Sequence, residues 1–266
     1  MSDQTNTAVR PRIAIFDFTS CEGCQLQIIN LEEELVPLVG LVEIVQFREA
    51  MSERSDEYDI AIVEGSITHR AEIPRIEAIR KRAKILVALG ACAHLGGINA
   101  LKNRFSMTRV RREVYGDSDQ GADTIPARPL SAVVHVDYEI PGCPIDKDEF
   151  LRVVSMILLG RTVVLTDNPV CTECKFLENV CRFDLGEVCL GPVIRGGCKA
   201  ICPSYGHPCD GCRGFVNEPN LNAHMEVLRG HGVTAAELMQ HFTLFTECQV
   251  EANGAGKLRR KVAADE

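Results

Sequence analysis

Tryptophan is absent, aromatic residues are only 5% of the chain, and no apolar run approaches the roughly 18–20 residues needed to cross a bilayer. The scarcity of aromatics argues against stability built on a large aromatic core. The lack of a long apolar run predicts no membrane span. A basic excess is missing too: 29 Lys and Arg face 37 Asp and Glu, for a formal charge of −8. A surface that holds a phosphate backbone needs the opposite sign, so nucleic acid is excluded as a partner. Met1 to Arg10 holds neither an apolar core nor a twin-arginine pair. No export signal is read there, and the expectation is a cytoplasmic protein with a disordered lead over residues 1–11.

What is abundant is cysteine, 13 in 266 residues. In a reducing compartment thiols stay unpaired, so metal or cluster ligation is their leading use. Their meaning depends on where the elements fall. "RIAIFDF" (Arg12 to Phe18), "VEIVQF" (Val42 to Phe47), "DIAIVEG" (Asp59 to Gly65) and "KILVALG" (Lys84 to Gly90) read as buried strands. Between the first two, Ile28, Leu31, Leu35, Leu38 and Val39 mark one face of a helix, and a charged helix is expected over Glu72 to Arg82. Asn103 to Pro129 reads as a polar, irregular excursion. "AVVHVDY" (Ala132 to Tyr138) resumes the strands and Lys147 to Leu159 closes with a helix. Such alternation builds a doubly wound parallel sheet, an α/β domain over 12–165.

Cys21 and Cys24 then follow the first strand, Cys92 follows "LVALG", and Cys143 follows the strand at "VVHVDY". In an open parallel sheet the carboxyl ends of the strands share one edge, and ligands bind there. Four thiols can converge, with Gly23, Gly90, Ala91 and Gly142 leaving room for a bulky inorganic group. Structural zinc usually takes two close pairs, whereas one pair and two distant singles suit a 4Fe-4S cluster better.

After Pro169 the character changes. Cys171, Cys174, Cys181, Cys189, Cys198, Cys202, Cys209 and Cys212 are interleaved with glycine and proline, without long hydrophobic periodicity. Eight thiols make two four-thiolate sites. Contiguous grouping is the simpler partition, but "CKAICP" resembles the C-x3-C-P piece of two-cluster ferredoxins, so exchange of Cys189 and Cys202 between the sites stays open. This mostly irregular iron-sulfur domain, with one or two helices after Phe215, is expected over 166–250, and a solvated end over 251–266. Cys248 is left over as a structural or free thiol.

"TSCEGC", "GACAHLGG", "PGCP", "NPVCTEC", "CLGPVIRGGCKAICPSYG" and "CDGCRG" together resemble the small, electron-transferring subunit of nickel-iron hydrogenases. They are most similar to the cytoplasmic NAD(P)-linked bidirectional enzymes and sulfhydrogenases. The resemblance implies a flavodoxin-like first domain and three 4Fe-4S clusters. The proximal cluster falls on Cys21, Cys24, Cys92 and Cys143; the medial on Cys198, Cys202, Cys209 and Cys212; the distal on Cys171, Cys174, Cys181 and Cys189. A cysteine stands at 171 where related respiratory enzymes carry histidine, so His94 and His207 are read as neighbouring or surface residues. His224, His231 and His241 receive no ligand role, and Glu22 is expected to adjust local charge.

The resemblance also implies a large subunit holding the nickel-iron site, since no matching pair of terminal C-x2-C motifs exists here, and flavin/NAD(P) and iron-sulfur diaphorase subunits. Similar small subunits work beside heterodisulfide reductases or deazaflavin modules. Two further alternatives are the cluster subunit of a quinone oxidoreductase, which typically has an adjacent cysteine pair and lacks the eight-cysteine tail, and a zinc-stabilised binding module.

Overall fold

The computed structural model describes residues 10–118 and 120–252. Apolar runs form β1 (Arg12–Asp17), β2 (Glu43–Phe47), β3 (Ile60–Glu64), the short β4 (Ile67–His69), β5 (Ile85–Leu89), β6 (Thr124–Arg128) and β7 (Tyr138–Ile140). Five of them make one parallel sheet in the order β2-β1-β3-β5-β7, with Ile13 opposite Ile60, Ile60 opposite Ile85 and Val87 opposite Tyr138. Omitting β4 and β6, this is the flavodoxin-like order, whose switch point lies between β1 and β3.

Side chains alternate across a strand, so a strand covered on both faces is apolar throughout. Ile13, Ile15, Ile60, Ile62, Val87 and Leu89 point to one face. Ala14, Phe16, Ala61, Val63, Leu86 and Ala88 point to the other. The first face is covered by α1 (Gly23–Ile29), α2 (Leu35–Leu41) and, further along the chain, a helix over Lys147–Leu158. The second is covered by α3 (Glu72–Arg82) through Ile76 and Ile79. Beyond β5 follow α4 (Gly90–Leu95) and α5 (Met107–Tyr115), and the Lys147–Leu158 helix is α6.

Three expectations are corrected. The helix after β1 is broken: a 3-10 turn at Glu32–Glu34 separates α1 from α2. Pro37 has no N–H to continue a helix from upstream, but it is tolerated in the first turn of a new one. Val39, expected in the buried face, is 42% exposed. The stretch 103–129 is not irregular throughout, since α5 is capped by the Ser106 side chain and β6 pairs antiparallel with β4. The strand expected from Ala132 begins only at Tyr138. A 3-10 turn at Leu130–Ala132 turns the chain back, while Val133, Val134 and Val136 still pack on the second face.

An irregular segment leads from α6 to the tail, whose helices are α7 (Val170–Phe176), α8 (Ile201–Ser204), α9 (Leu221–Gly230), α10 (Ala235–Phe242) and α11 (Glu247–Ala252). Its core joins Val170, Leu190, Val193 and Ile194 to Phe215, Met225, Leu228 and Phe242. Phe245 packs on Ala91 and Leu95 of α4, and the fully buried Glu247 pairs with Arg104 at 3.0 Å. Among the described residues no helix is long and apolar enough to cross a membrane. Most of the expected lead over 1–11, and of the end over 251–266, lies outside the described residues.

Candidate metal centres

At the carboxyl edge of the sheet, Cys21 sits in the turn after β1, Cys24 in the first turn of α1, Cys92 on α4 after β5, and Cys143 in the loop after β7. The turn is possible because Glu22 adopts a left-handed conformation, φ 63°. Glu64, at the end of β3 and 2% exposed, accepts hydrogen bonds from the amides of Cys24 and Gln25, both at 3.1 Å. It thereby satisfies free donors at the start of α1. Asn99 Nδ2 donates to Thr19 O and Ser66 Oγ, each at 2.9 Å, bracing the loops after β1 and β3. Ala91 N–H donates to Gly142 O at 2.7 Å, joining the loops of Cys92 and Cys143.

These thiols act on one another. Burial raises Cys24 strongly, with Glu64, Cys143 and Cys92 adding to it. Burial, then Cys143 and Cys21, push Cys92 to about 12, and burial with Cys21 and Glu64 raises Cys143. Desolvation and like charge both favour the neutral thiol, so four thiolates here call for a bound cation. Gly90, φ 81°, makes the approach possible, since a Cβ there would lie 2.4 Å from Cys24 Sγ.

The eight tail cysteines also act on one another. Burial and then Cys189, Cys174 and Cys181 push Cys171 to about 12. Cys189 is raised by burial and by Cys174 and Cys181. A Cβ on Gly191 would come within 3.2 Å of Cys171 Sγ and 3.5 Å of Cys189 Sγ. Further along the chain, burial, Cys198, Cys143 and Cys202 raise Cys212 to about 12, against a partial offset from the Cys143 amide. Cys209 rises well above the usual thiol value through burial, Cys212, Cys189 and Cys198. Cys209 N–H donates to Cys189 Sγ at 3.3 Å. A cavity of about 520 Å3 is lined by Cys143 together with Cys198, Cys202, Cys209 and Cys212.

Sequence reasoning missed the charged groups between these cysteines. Arg213 and Glu149 are almost wholly buried and lie 2.8 Å apart. Arg213 also donates to Gly196 O at 2.7 Å and Pro141 O at 2.8 Å, tying the Cys143 loop to the Cys198 loop. Glu173, between Cys171 and Cys174, accepts from the amides of Gly197 at 2.5 Å and Ala200 at 3.0 Å. Lys199 and Ala200 are consecutive left-handed residues, φ 57° and 45°, which costs about 1–2 kcal/mol each. Two hydrogen bonds to a carboxylate contribute about 1.5–3 kcal/mol each and hold that turn. The signals were "CTEC", "CRG" and the doublet in "RGGC". A Cβ on Gly196 would come 3.1 Å from Glu173, and one on Gly197 2.4 Å from Arg213.

The remaining candidates lie outside the three expected sets. His94 Nδ1 is 3.0 Å from the Glu139 carboxylate; burial raises Glu139, but the His94 contact and the charges of His94 and Arg195 together outweigh it and leave the carboxyl below its ordinary value. His207 is exposed. Cys248 packs beside Gly96, its thiol 3.6 Å from Ala127 O. Glu22 is raised by burial and by its hydrogen bond to Glu49.

Residues 21–157 match the family described as NADH ubiquinone oxidoreductase, 20 Kd subunit. The sulfhydrogenase 2 subunit delta of Pyrococcus furiosus is 37% identical over 82% of this chain and 92% of its own length. A subunit of the vhu F420-non-reducing hydrogenase of Methanococcus voltae is 30% identical over 79% and 84%. Among solved structures, a chain of an NAD+-reducing [NiFe]-hydrogenase in the H2-reduced state superposes with a TM-score of 0.52 at 26% identity, covering 59% of this chain and 96% of that one.

Proposed function

The chain belongs to the family of the NADH ubiquinone oxidoreductase 20 Kd subunit and is a hydrogenase subunit related to the small subunits of nickel-iron hydrogenases, and we propose on that footing that it is an electron relay. Electrons pass through three 4Fe-4S clusters, between a nickel-iron site on a cytoplasmic large subunit and a flavin and NAD(P) module with its iron-sulfur diaphorase chains. The observation that supports this reading most is that the twelve thiols act on one another in a continuous series from the sheet edge into the tail, with Cys143 beside Cys212 and Cys209 against Cys189.

The donor sets fit such a group. Each offers four thiols, and in the Cys21 and Cys171 sets glycine stands where a side chain would collide with sulfur. Cys21, Cys24, Cys92 and Cys143 would hold the proximal cluster, Cys198, Cys202, Cys209 and Cys212 the medial, and Cys171, Cys174, Cys181 and Cys189 the distal. Bound there, a 4Fe-4S cluster supplies a one-electron store whose potential follows charge, hydrogen bonding to sulfur and exposure. The protein's part is to place and tune: Glu64 orders the turn of Cys21 and Cys24, Arg213 fixes the Cys143 loop against the Cys198 loop, and buried amides donate to sulfur. A zinc module fits less well. Structural zinc usually takes two close cysteine pairs, whereas Cys92 and Cys143 come singly from distant loops.

The family also takes its name from quinone-reducing complexes, but its match ends at residue 157, before the eight-cysteine tail. The tail and the hydrogenase relatives favour a hydrogenase. For the acceptor, the NAD+-reducing neighbour supports pyridine nucleotide; the Methanococcus voltae relative belongs to an F420-non-reducing hydrogenase, which speaks against a deazaflavin module and leaves a heterodisulfide reductase as the second reading. The test is metal analysis of the native complex purified without oxygen. About twelve irons per chain are expected, with loss of about four and of one low-temperature resonance signal in Cys92→Ser or Cys143→Ser. Hydrogen-dependent NAD(P) reduction with a nickel-containing companion is expected. A colourless chain holding zinc, or signals unchanged by both substitutions, overturns the reading.

A further inference from the structure

We propose that Glu173 is a positioning and tuning residue shared by the medial and distal sites, lowering both reduction potentials together. The inference rests on the cluster assignment above. Glu173 lies on α7 between Cys171 and Cys174, and its carboxylate reaches across to the loop of the other site, accepting the amides of Gly197 and Ala200 on either side of Cys198. Its Oε2 is 3.9 Å from Cys198 Sγ. The neighbouring charges are committed elsewhere: Arg213 to Glu149, Lys199 to Asp148 and Asp146. Among the described residues no cation pairs with Glu173. One negative charge therefore stands between two thiol quartets, beside Cys198, on which the fixed Arg213 guanidinium acts in the opposite sense; removing Glu173 alone leaves that cation in place.

A fixed negative charge favours the oxidised form of each neighbouring site, because reduction adds another. At an effective dielectric of about 20, a unit charge about 10 Å away changes a one-electron equilibrium by about tenfold. Tenfold corresponds to about 59 mV. Because the Glu173 backbone lies on the helix of Cys171 and Cys174 while its carboxylate is held by the Cys198 loop, it acts on both sites at once. The charge keeps the two tail sites in step.

The experiment is a resonance-monitored redox titration of the intact complex as wild type, Glu173→Gln and Glu173→Asp, with iron measured in each. Gln removes the charge and is expected to raise the medial and distal potentials by about tenfold in equilibrium, leaving the proximal site in place. Asp keeps the charge while losing reach, and is expected to hold both within about threefold. Equal potentials in wild type and the iron-replete Gln protein overturn the proposal, as does a shift in Asp as large as that in Gln. Where the Gln protein loses iron, Asp decides: a displacement beyond threefold overturns it. Wild type lacking the two tail signals would instead sink the cluster assignment itself.

Discussion

Replacing Arg213 by methionine removes the buried cation that three segments share. Glu149, 3% exposed, keeps only Arg152 at 3.2 Å, itself half-exposed, and the carbonyls of Gly196 and Pro141 lose their donor. Breaking a buried pair from one side costs about 3–5 kcal/mol; the surviving Arg152 contact puts this case near the lower end, about 3 kcal/mol. For a chain of this size 1 kcal/mol corresponds to about 2–4 °C, so the unfolding midpoint of the isolated holo-subunit should fall by about 6–12 °C. Removing Glu149 as well, in Arg213→Met with Glu149→Leu, should recover most of the loss, because the stranded carboxylate is then gone.

The deficit should depend on pH in a definite direction. Burial raises the Glu149 carboxyl, against the pull of Arg213 and Arg152, and without Arg213 only the half-exposed Arg152 opposes it. A carboxyl with a raised folded-state pKa makes the native state bind protons more readily than the unfolded chain, so stability is lost as pH rises. The single variant should therefore lag wild type more at pH 8 than at pH 6. Calorimetry of the holo-subunit at both values reads this out. An unchanged midpoint in the single variant, or a double variant as unstable as the single, refutes the account of this pair.

Two other substitutions test local geometry. Gly90→Ala forces a Cβ onto Cys24 Sγ at a left-handed position, so about four irons should be lost while the tail sites stay loaded, as iron analysis would show. Asp137 accepts from Leu86 N–H at 2.7 Å and pairs with Arg80. Burial raises its carboxyl, but these two contacts outweigh it and hold it below the ordinary range. Asp137→Asn should cost about 1–2 kcal/mol at pH 7 by urea denaturation. A depressed carboxyl contributes stability that is lost as pH falls, so the gap should persist down to about pH 4 and close below it.

The sheet was readable because β1, β3 and β5 are buried on both faces, which makes them apolar without interruption; α3 was readable because its pattern is local. The pair β4 and β6 was not, since its partners are far apart in the chain and Pro126 and Arg128 disguise the strand. The valines before β7 look like a strand because they bury side chains, yet their backbone is engaged by a turn. Cysteine spacing disclosed the thiols, and strand ends disclosed which could meet. Glu64, Glu173 and Arg213 escaped notice because a lone charged residue shows nothing in sequence of the amides or carbonyls that tertiary folding brings to it. The paired glycines at 196 and 197, which leave room for Glu173 and Arg213, were the trace of that packing.

The docking of Phe245 on Ala91 and Leu95, with Cys248 beside Gly96, has a bearing on biosynthesis. The helix that carries Cys92 acquires its outer cover from a segment that leaves the ribosome long after it. A nascent chain halted before Phe245 carries that helix with the apolar face of Ala91 and Leu95 bare. The packing beneath one of the candidate ligands thus waits on residues made about 150 positions later.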